Sequence, residues 1–228
     1  MLLNIIKRLI SHLPSDWQSR LKQIQCRRQI RKGTFRSPEP EFAILEEFIE
    51  DGNWVIDVGA NVGFYSKRFS ELVGPKGRVI CFEPVPETFA ILVENLKYAK
   101  CSNVTLINAA VSDNPQSVSM VTPFSETTGL KNLQLSHLII NAESSGFDVL
   151  AFNLDSLMLP HRVDLVKIDA EGHEFSVLSG MIKLLKRDHP TLFVETGTKE
   201  VISLLTSIGY SVRALPGSPN KIFEATKF

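Results

Sequence analysis

The stretch from Val55 to Ser66 constrains the fold more than any other part of the chain. It consists of β-branched residues interrupted by one acid, Asp57, then a turn that contains Gly59 and Gly63, then residues that can start a helix. Continuous apolar runs of this kind are typical of strands buried in parallel sheets. Glycine lets a backbone turn tightly and approach a ligand at the N-terminus of the next helix. The stretch therefore predicts a buried parallel strand that leads into a ligand-binding loop.

The spacing of the glycines indicates which nucleotide the loop can hold. Dinucleotide-binding loops have the pattern G-x-G-x-x-G, whereas here Asn61 and Phe64 occupy the second and third glycine positions. The next strand-like segment ends at Glu83-Pro84, where a carboxylate can accept hydrogen bonds from the ribose hydroxyls of an adenosine. Asp57 also needs donors or a ligand, because a buried unpaired carboxylate is costly. These features predict an adenosine pocket and disfavour a nicotinamide-dependent oxidoreductase.

The rest of the chain alternates between strand-like and helix-like segments. With 228 residues and 43% hydrophobic content it can bury one sizeable core. Alternation at this spacing is typical of a parallel sheet covered by helices on both faces. The link at 216–220 is too short for a crossover helix, so the last two strands are expected to form a hairpin that supplies an antiparallel edge strand. The predicted fold is α/β, with a doubly wound, mostly parallel, seven-stranded Rossmann-like sheet. The expected strands are 54–58, 78–82, 104–108, 163–168, 192–195, 210–214 and 222–225, and the expected helices are 42–49, 63–72, 86–99, 174–187 and 199–208.

The N-terminal segment differs from the rest in charge. Residues 1–36 contain nine Lys and Arg against the single acid Asp16, although the whole chain has a formal net charge of zero. We expect residues 1–32 to form a basic, amphipathic helical extension of a catalytic domain at 33–228. The extension can lie on an anionic membrane surface, pack against the body of the protein or contact another subunit of a homo-oligomer.

The alternation lapses around residues 114–150. Two added strands are expected there, at 116–121 and 147–153, and a long polar segment lies between them. Long loops in compact domains usually serve a function or are disordered. The segment is therefore predicted to be either a substrate-side insert or lid, or a disordered loop.

The three cysteines and the absence of a long apolar run indicate the cellular setting. Three scattered cysteines are too few for a disulfide framework or a metal cluster. No apolar run approaches the ~20 residues that a membrane-spanning helix needs. We expect a cytoplasmic protein with possible peripheral membrane contact through residues 1–32.

Four motifs carry a resemblance to a known family. They are DVGANVG at 57–63, FEP at 82–84, NAAVSD at 108–113 and KIDAEGHE at 167–174. The first two resemble the S-adenosylmethionine site of class I methyltransferases. All four in this order, over about residues 33–196, resemble the FkbM methyltransferase family.

The resemblance implies a cofactor and an acceptor. The cofactor is S-adenosylmethionine, and the acceptor is a hydroxyl on a saccharide, a glycolipid or a polyketide-like molecule. The implied layout also places residues 108–111 along the adenine. The expected cofactor-binding residues are Asp57, Gly59, Asn61, Gly63, Glu83, Pro84, Asn108 and Ala110.

The fourth motif is the densest polar cluster in the chain. Asp169 follows one predicted strand and Glu195 follows the next, so both carboxylates are expected at one rim of the sheet, opposite Asp57 and Glu83. Methyl transfer to a hydroxyl needs orientation and removal of a proton, for which Asp169 or His173 is suitable. His173 can equally be a helix cap or a core hydrogen-bonding residue. The catalytic candidates are Asp169, His173, Glu171 and Glu195.

Other roles for these charged residues remain open. Glu171 and Glu195 can join Asp169 as oxygen ligands of a divalent cation, but no residue is assigned to a metal. Lys167 is expected to form a structural ion pair with Glu195 or Asp57, and Glu174 to favour the N-terminus of its helix.

Two other functions compete with the preferred one. A nucleic-acid methyltransferase would use the basic segment, but few aromatic residues accompany it, so nucleic-acid binding is disfavoured. A non-catalytic scaffold with the same fold, anchored by residues 1–32, is the alternative from another class.

Overall fold

The computed structural model describes residues 10–121, 137–139 and 146–226. Within these ranges the helices are α1 (Ser15–Arg31), α2 (Phe64–Leu72), α3 (Pro86–Tyr98), α4 (Glu174–Ser179), α5 (Ile182–Asp188) and α6 (Lys199–Ser207), with 3-10 turns at Pro40–Glu47 and Leu154–Ser156. The strands are β1 (Trp54–Val58), β2 (Arg78–Phe82), β3 (Val104–Ile107), β4 (Ala110–Val111), β5 (Gln116–Val121), β6 (His137–Ile139), β7 (Phe147–Phe152), β8 (Leu165–Ile168), β9 (Thr191–Glu195), β10 (Tyr210–Ala214) and β11 (Asn220–Ala225).

The main sheet confirms the predicted fold class. It has seven strands in the order β10-β11-β9-β8-β1-β2-β3. Strands β9, β8, β1, β2 and β3 pair in parallel, and β11 is antiparallel to both β9 and β10. The sequence predicted that the antiparallel strand would lie at the edge of the sheet, and this position is wrong. The antiparallel strand is β11, which lies between β9 and β10, so that β10 is the edge strand.

Side chains alternate between the two faces of the sheet, so that each face is apolar and is covered by helices. Ile56 and Val58 of β1 face a core formed with α4, α5 and α6. Val55 faces a second core formed with α2, α3 and the 3-10 turn at Pro40–Glu47. Since side chains alternate along a strand, Asp57 shares the second face with Val55.

One predicted helix is broken in two. The segment 174–187 forms α4 and α5 with a bend at Gly180 and Met181. The chain passes close to another backbone here, since a Cβ on Gly180 would lie 2.1 Å from the carbonyl oxygen of Ser112. The carboxylate of Asp155 accepts hydrogen bonds from two backbone N–H groups in the first turn of α5, at 3.0 and 2.8 Å. This cap starts the second helix separately.

The predicted insert contains a second sheet. Its strand order is β4-β7-β5-β6, with β5 antiparallel to β6 and β7, and with β4 parallel to β7. The added strand expected at 116–121 is β5, and the one expected at 147–153 is β7. The remainder of the insert, at 122–136 and 140–145, lies outside the described residues.

Helix α1 packs against the body of the protein. Cys26 on α1 is buried in a cluster with Phe35, Val62 and Ile91. The Arg27 guanidinium pairs with the Glu94 carboxylate on α3 at 2.7 Å. Of the amphipathic extension predicted at 1–32, residues 1–9 lie outside the described part of the chain. In the ranges that the structure describes, no helix is long and apolar enough to cross a bilayer.

Candidate active site

A cleft opens beyond the C-terminal ends of β1, β2 and β8. Ligands of open parallel sheets bind at such ends, outside the carboxyl termini of the strands. The cleft is walled by the loop after β1, the turn after β2, the loop after β8 and part of the second sheet. Eight residues that the sequence predicted for the site line it, namely Gly59, Asn61, Glu83, Pro84, Ala110, Asp169, Glu171 and His173.

Gly59 permits the loop after β1 to lie against the loop after β8. Its φ is 78°, and a Cβ at this position would lie 1.9 Å from the carbonyl oxygen of Asp169. The Asp169 backbone N–H donates to the carbonyl of Val58 at 3.1 Å, which holds the two loops together. Two walls of the cleft therefore meet at a contact that only glycine allows.

Glu83 is held by backbone N–H groups at the end of β2. Its Oε2 accepts from the N–H of Asn61 and its Oε1 from the N–H of Val85, both at 2.9 Å. Burial raises the pKa of Glu83 to about 7, although these two hydrogen bonds favour the ionised form. The carboxylate thus lies in the wall of the cleft with its orientation fixed.

Asn108 supports this turn and does not line the cleft. Its Nδ2 donates to the carbonyl oxygens of Glu83 at 2.8 Å and Pro84 at 3.0 Å. The side chain was expected to be part of the adenine site. In the structure it fixes the backbone that carries Glu83.

Asp57 does not face the cleft, contrary to the expectation from the sequence. It is fully buried beneath the loop, where its Oδ2 accepts from the Ser66 hydroxyl at 2.6 Å. Its Oδ1 is buried and accepts no hydrogen bond from the described residues. Burial raises the pKa of Asp57, whereas the neighbouring Lys167 opposes that rise. Gly63 also lies away from the cleft, because its open side packs on Leu92 of α3.

The buried Lys167 of β8 lies between Asp169, which follows the same strand, and Asp57 of the neighbouring strand β1. Its Nζ lies 3.0 Å from Oδ2 of Asp169 and 4.6 Å from the centroid of the Tyr65 ring. Burial alone would lower the pKa of Lys167, but Asp169 and Asp57 raise it, so the ammonium stays charged. Among the described residues, the structural ion pair predicted for Lys167 forms with Asp169 and with neither Glu195 nor Asp57, although Asp57 acts on Lys167 as a neighbouring charge.

Asp169 and Glu195 lie together at one rim of the sheet, as predicted. Burial would raise the pKa of Asp169, but Lys167 and a hydrogen bond with Glu195 outweigh that effect and lower it. Burial and the same hydrogen bond raise the pKa of Glu195 to about 8. The two carboxyl groups therefore share one proton near neutral pH, and Glu195 holds it. Asp169 lines the cleft, whereas Glu195 does not.

His173 lies in the cleft wall at the N-terminus of α4. Its Nε2 is 2.9 Å from the Ser112 hydroxyl, which is also 3.0 Å from Oδ1 of Asp113. Burial lowers the pKa of His173, and Asp113 and Glu174 oppose that effect only in part. The imidazole is therefore neutral at neutral pH.

Glu174 organises the loop that presents these groups. Its Oε1 accepts from the backbone N–H groups of Ala170 at 3.1 Å and Gly172 at 3.0 Å. The neighbouring Glu171 is exposed and has a φ of 50°. Glu174 thus caps the loop directly, in addition to the predicted effect of its charge at the start of α4.

The sequence did not predict two contributors to the site. Ser112 lies inside the motif at 108–113, but nothing local marks it as the partner of a histidine 61 residues away. Met120 of β5 reaches the cleft from the second sheet.

The three carboxylates considered for a divalent cation, Asp169, Glu171 and Glu195, do not form a metal-binding group in the described part of the chain.

The fold and the cleft define a class I S-adenosylmethionine-dependent methyltransferase. The antiparallel insertion of β11 beside β9, the glycine turn after β1 and the acid after β2 are the features of that class. The model of the methyltransferase FkbM domain matches residues 57–212. The chain belongs to the FkbM methyltransferase family.

Relatives and a solved structure agree with this assignment. Methyltransferase 1 of Beauveria bassiana is 26% identical over 169 residues, which cover 63% of this chain and 68% of that protein. The hexuronic acid methyltransferase AglP of Haloferax volcanii is 27% identical over 151 residues, which cover 66% of this chain and 59% of that protein. The crystal structure of an FkbM methyltransferase from Methylobacillus flagellatus has a TM-score of 0.57 at 16% identity and covers 77% of this chain. The present chain spans only 44% of that protein and 59% of AglP.

Proposed function

We propose that this protein transfers the methyl group of S-adenosylmethionine to a hydroxyl oxygen of a saccharide. The observation that carries the proposal is that one cleft contains both the Glu83 carboxylate, which can hold a ribose, and the neutral His173 imidazole, which can accept a proton. The relationship to AglP, a hexuronic acid methyltransferase, supports a saccharide acceptor.

The residues of the cleft suit the cofactor. Each oxygen of Glu83 accepts one backbone N–H and retains a lone pair for a ribose hydroxyl. Gly59 leaves backbone accessible in the cleft wall, and Asp169 supplies negative charge for the ammonium of the methionine part. When bound, S-adenosylmethionine supplies an electrophilic methyl group on a sulfonium. The protein then has to orient the acceptor oxygen and remove its proton.

Among the four catalytic candidates, His173 suits proton removal best. Asp169 is a weak base because Lys167 lowers its pKa, and Glu195 lies outside the lining of the cleft with its proton bound. Glu171 is exposed at the mouth. His173 is half-buried, is neutral and lines the same cleft as Glu83.

Ser112 selects the tautomer of this histidine. The hydroxyl has one proton and two neighbours that can accept it, Asp113 Oδ1 and His173 Nε2. A carboxylate is the stronger acceptor, so the Ser112 hydroxyl donates to Asp113 and accepts from the N–H at Nε2. The lone pair then lies on Nδ1, where it takes the proton of the acceptor hydroxyl. Ser112 is a positioning residue in this scheme, and His173 is the catalytic base.

The experiment separates cofactor binding from catalysis. Isothermal titration with S-adenosylmethionine is expected to show binding that is lost in Glu83→Ala and kept in Glu200→Gln, which changes an exposed glutamate on α6. Oligosaccharides that contain a hexuronic acid are then incubated with the enzyme, and products that have gained one methyl group are identified by mass. His173→Gln is expected to retain cofactor affinity and to lose turnover.

Several outcomes would contradict the proposal. Unchanged cofactor binding in Glu83→Ala would remove the assignment of the cleft. Binding without turnover on any saccharide would favour the non-catalytic scaffold. Methylation of an RNA instead of the saccharides would favour the nucleic-acid methyltransferase.

A further inference from the structure

One side of helix α1 carries an exposed apolar stripe. Trp17, Leu21 and Ile24 are 56%, 37% and 63% exposed. Their spacing of four and three residues places them on one side of a helix. At about 100° per residue, three exposed arginines fall within the same arc of roughly 100°. We call this set the outer face of α1, which consists of Trp17, Arg20, Leu21, Ile24, Arg28 and Arg31.

The opposite side of α1 holds the helix on the protein. Cys26 is 1% exposed in a cluster with Val62 and Ile91, and Ile30 packs against the same cluster. The ion pair between Arg27 and Glu94 joins α1 to α3 at 2.7 Å. The helix is therefore fixed with its outer face turned away from the body, and the apolar stripe takes no part in the contact that holds it.

The outer face is positively charged and contains no acid. The described residues place no carboxylate within ion-pair distance of Arg20, Arg28 or Arg31. The Arg20 guanidinium lies 5.9 Å from the centroid of the Trp17 ring, so the cation and the aromatic ring share one patch. Two such faces would repel each other, which disfavours a second copy of the chain as the partner.

We propose that the outer face of α1 docks on an anionic phospholipid bilayer. Tryptophan is enriched at membrane interfaces, where its ring lies at the level of the headgroups. Leucine and isoleucine beside it enter the boundary of the acyl chains, as in amphipathic helices that lie in the membrane plane. The three arginines extend their charged ends to the lipid phosphates while their stems remain on the apolar surface. The enzyme would thereby be held at a membrane surface without crossing it.

The proposal predicts a specific dependence on lipid charge. The full chain is mixed with vesicles of phosphatidylcholine, or of phosphatidylcholine with an equal amount of phosphatidylglycerol, and bound protein is measured by sedimentation. We expect binding to the anionic vesicles only, and the binding should weaken as salt is added. Each basic residue near an anionic surface contributes a factor of about five, so replacing Arg20, Arg28 and Arg31 together by glutamine should lower the partition coefficient by roughly 100-fold.

Matched variants test which residues are responsible. Trp17→Ser combined with Ile24→Ser should lower binding by roughly tenfold or more. Two control variants should bind as the unchanged protein does. The first replaces three exposed cations on α5 and α6 by glutamine, at Lys183, Lys186 and Lys199, and the second replaces Leu150 and Met158, which are 61% and 96% exposed, by serine.

Fluorescence gives a direct signal from the outer face. The chain has two tryptophans, Trp17 and Trp54, and the latter packs with its ring centroid 4.6 Å from that of His161. Emission should shift to the blue on anionic vesicles, and Trp17→Phe should abolish that shift. Equal binding to neutral and anionic vesicles, no binding to either, or unchanged binding in the arginine variant would overturn the proposal. So would a dimer in solution that Trp17→Ser dissociates, because the outer face would then be an interface between copies.

Discussion

Three glycines in the loops after β1 and β8 have similar backbone conformations but different surroundings. Their φ angles are 78° at Gly59, 95° at Gly63 and 94° at Gly172. A Cβ would lie 1.9 Å from the carbonyl oxygen of Asp169 at the first position and 2.8 Å from the Leu92 Cδ1 at the second. At the third position it would meet no atom within 4 Å. Alanine at each position therefore separates the cost of a left-handed backbone from the cost of a collision.

The expected losses of unfolding free energy follow this order. Gly172→Ala should cost about 1–2 kcal/mol, which is the price of a left-handed conformation for a residue with a Cβ. Gly63→Ala adds overpacking against a flexible side chain that can rotate, for a total of about 2–3 kcal/mol. Gly59→Ala adds a collision with backbone that the hydrogen bond from Asp169 to Val58 holds in place, for a total of about 3–5 kcal/mol.

Urea unfolding of the three variants measures these losses, with circular dichroism to confirm that the native fold is retained. For a chain of this size, a loss of 1 kcal/mol lowers the melting temperature by about 2–4 °C. Gly59→Ala should also abolish binding of S-adenosylmethionine, whereas Gly63→Ala should keep much of it because its contact is with α3. Equal losses at Gly59 and Gly172 would refute the reasoning, because the loops would then separate without resistance.

Further predictions concern the acids and the histidine. The pKa of Glu195 is raised from its ordinary value of 4.5 to about 8, so between these two pH values the folded protein holds a proton that the unfolded chain has released. The free energy of unfolding should therefore fall as the pH rises from 4.5 to about 8. Glu195→Gln should remove this fall, as melting temperatures at pH 5 and pH 8.5 would show, and an unchanged pH dependence would contradict the shared proton with Asp169. Glu83 has its pKa raised to about 7, so cofactor affinity measured by titration should increase from about pH 6 to pH 8 in the unchanged protein and stay flat in Glu83→Gln. Ser112→Ala should lower kcat by roughly 10- to 100-fold and leave KM for the cofactor unchanged. It should also shift the pH at which kcat rises as His173 loses its proton. An unaltered pH profile of kcat would mean that Ser112 has a structural role alone.

Local signals in the sequence were sufficient for much of the main sheet. The predicted strands at 54–58, 78–82 and 210–214 match β1, β2 and β10 residue for residue. Their apolar runs and flanking turn residues act over a few positions, which is the range that such patterns report. The glycine turn, Glu83 and the Asp169 cluster were predicted for the site for the same reason, since each immediately follows a strand.

Side-chain direction and distant partners could not be predicted in this way. Asp57 is one residue before the end of β1, and the alternation of side chains turns it toward α2 and Lys167 instead of the cleft. Asn108 has the polarity of a ligand-binding residue but meets the backbone of the neighbouring turn. Ser112 and His173 are brought together only because the second sheet and the loop after β8 pack side by side.

The sequence by itself determined the fold class, the family and the residues that follow the central strands, because periodicity and turn chemistry are local properties. Only the tertiary structure decided which of those residues share the cleft, which acid pairs with Lys167 and which histidine nitrogen faces a serine. It also decided that α1 buries Cys26 and exposes Trp17, since a helix with two apolar sides leaves open which of them the body of the protein covers. Contacts between distant residues arise from packing, and packing depends on the whole chain.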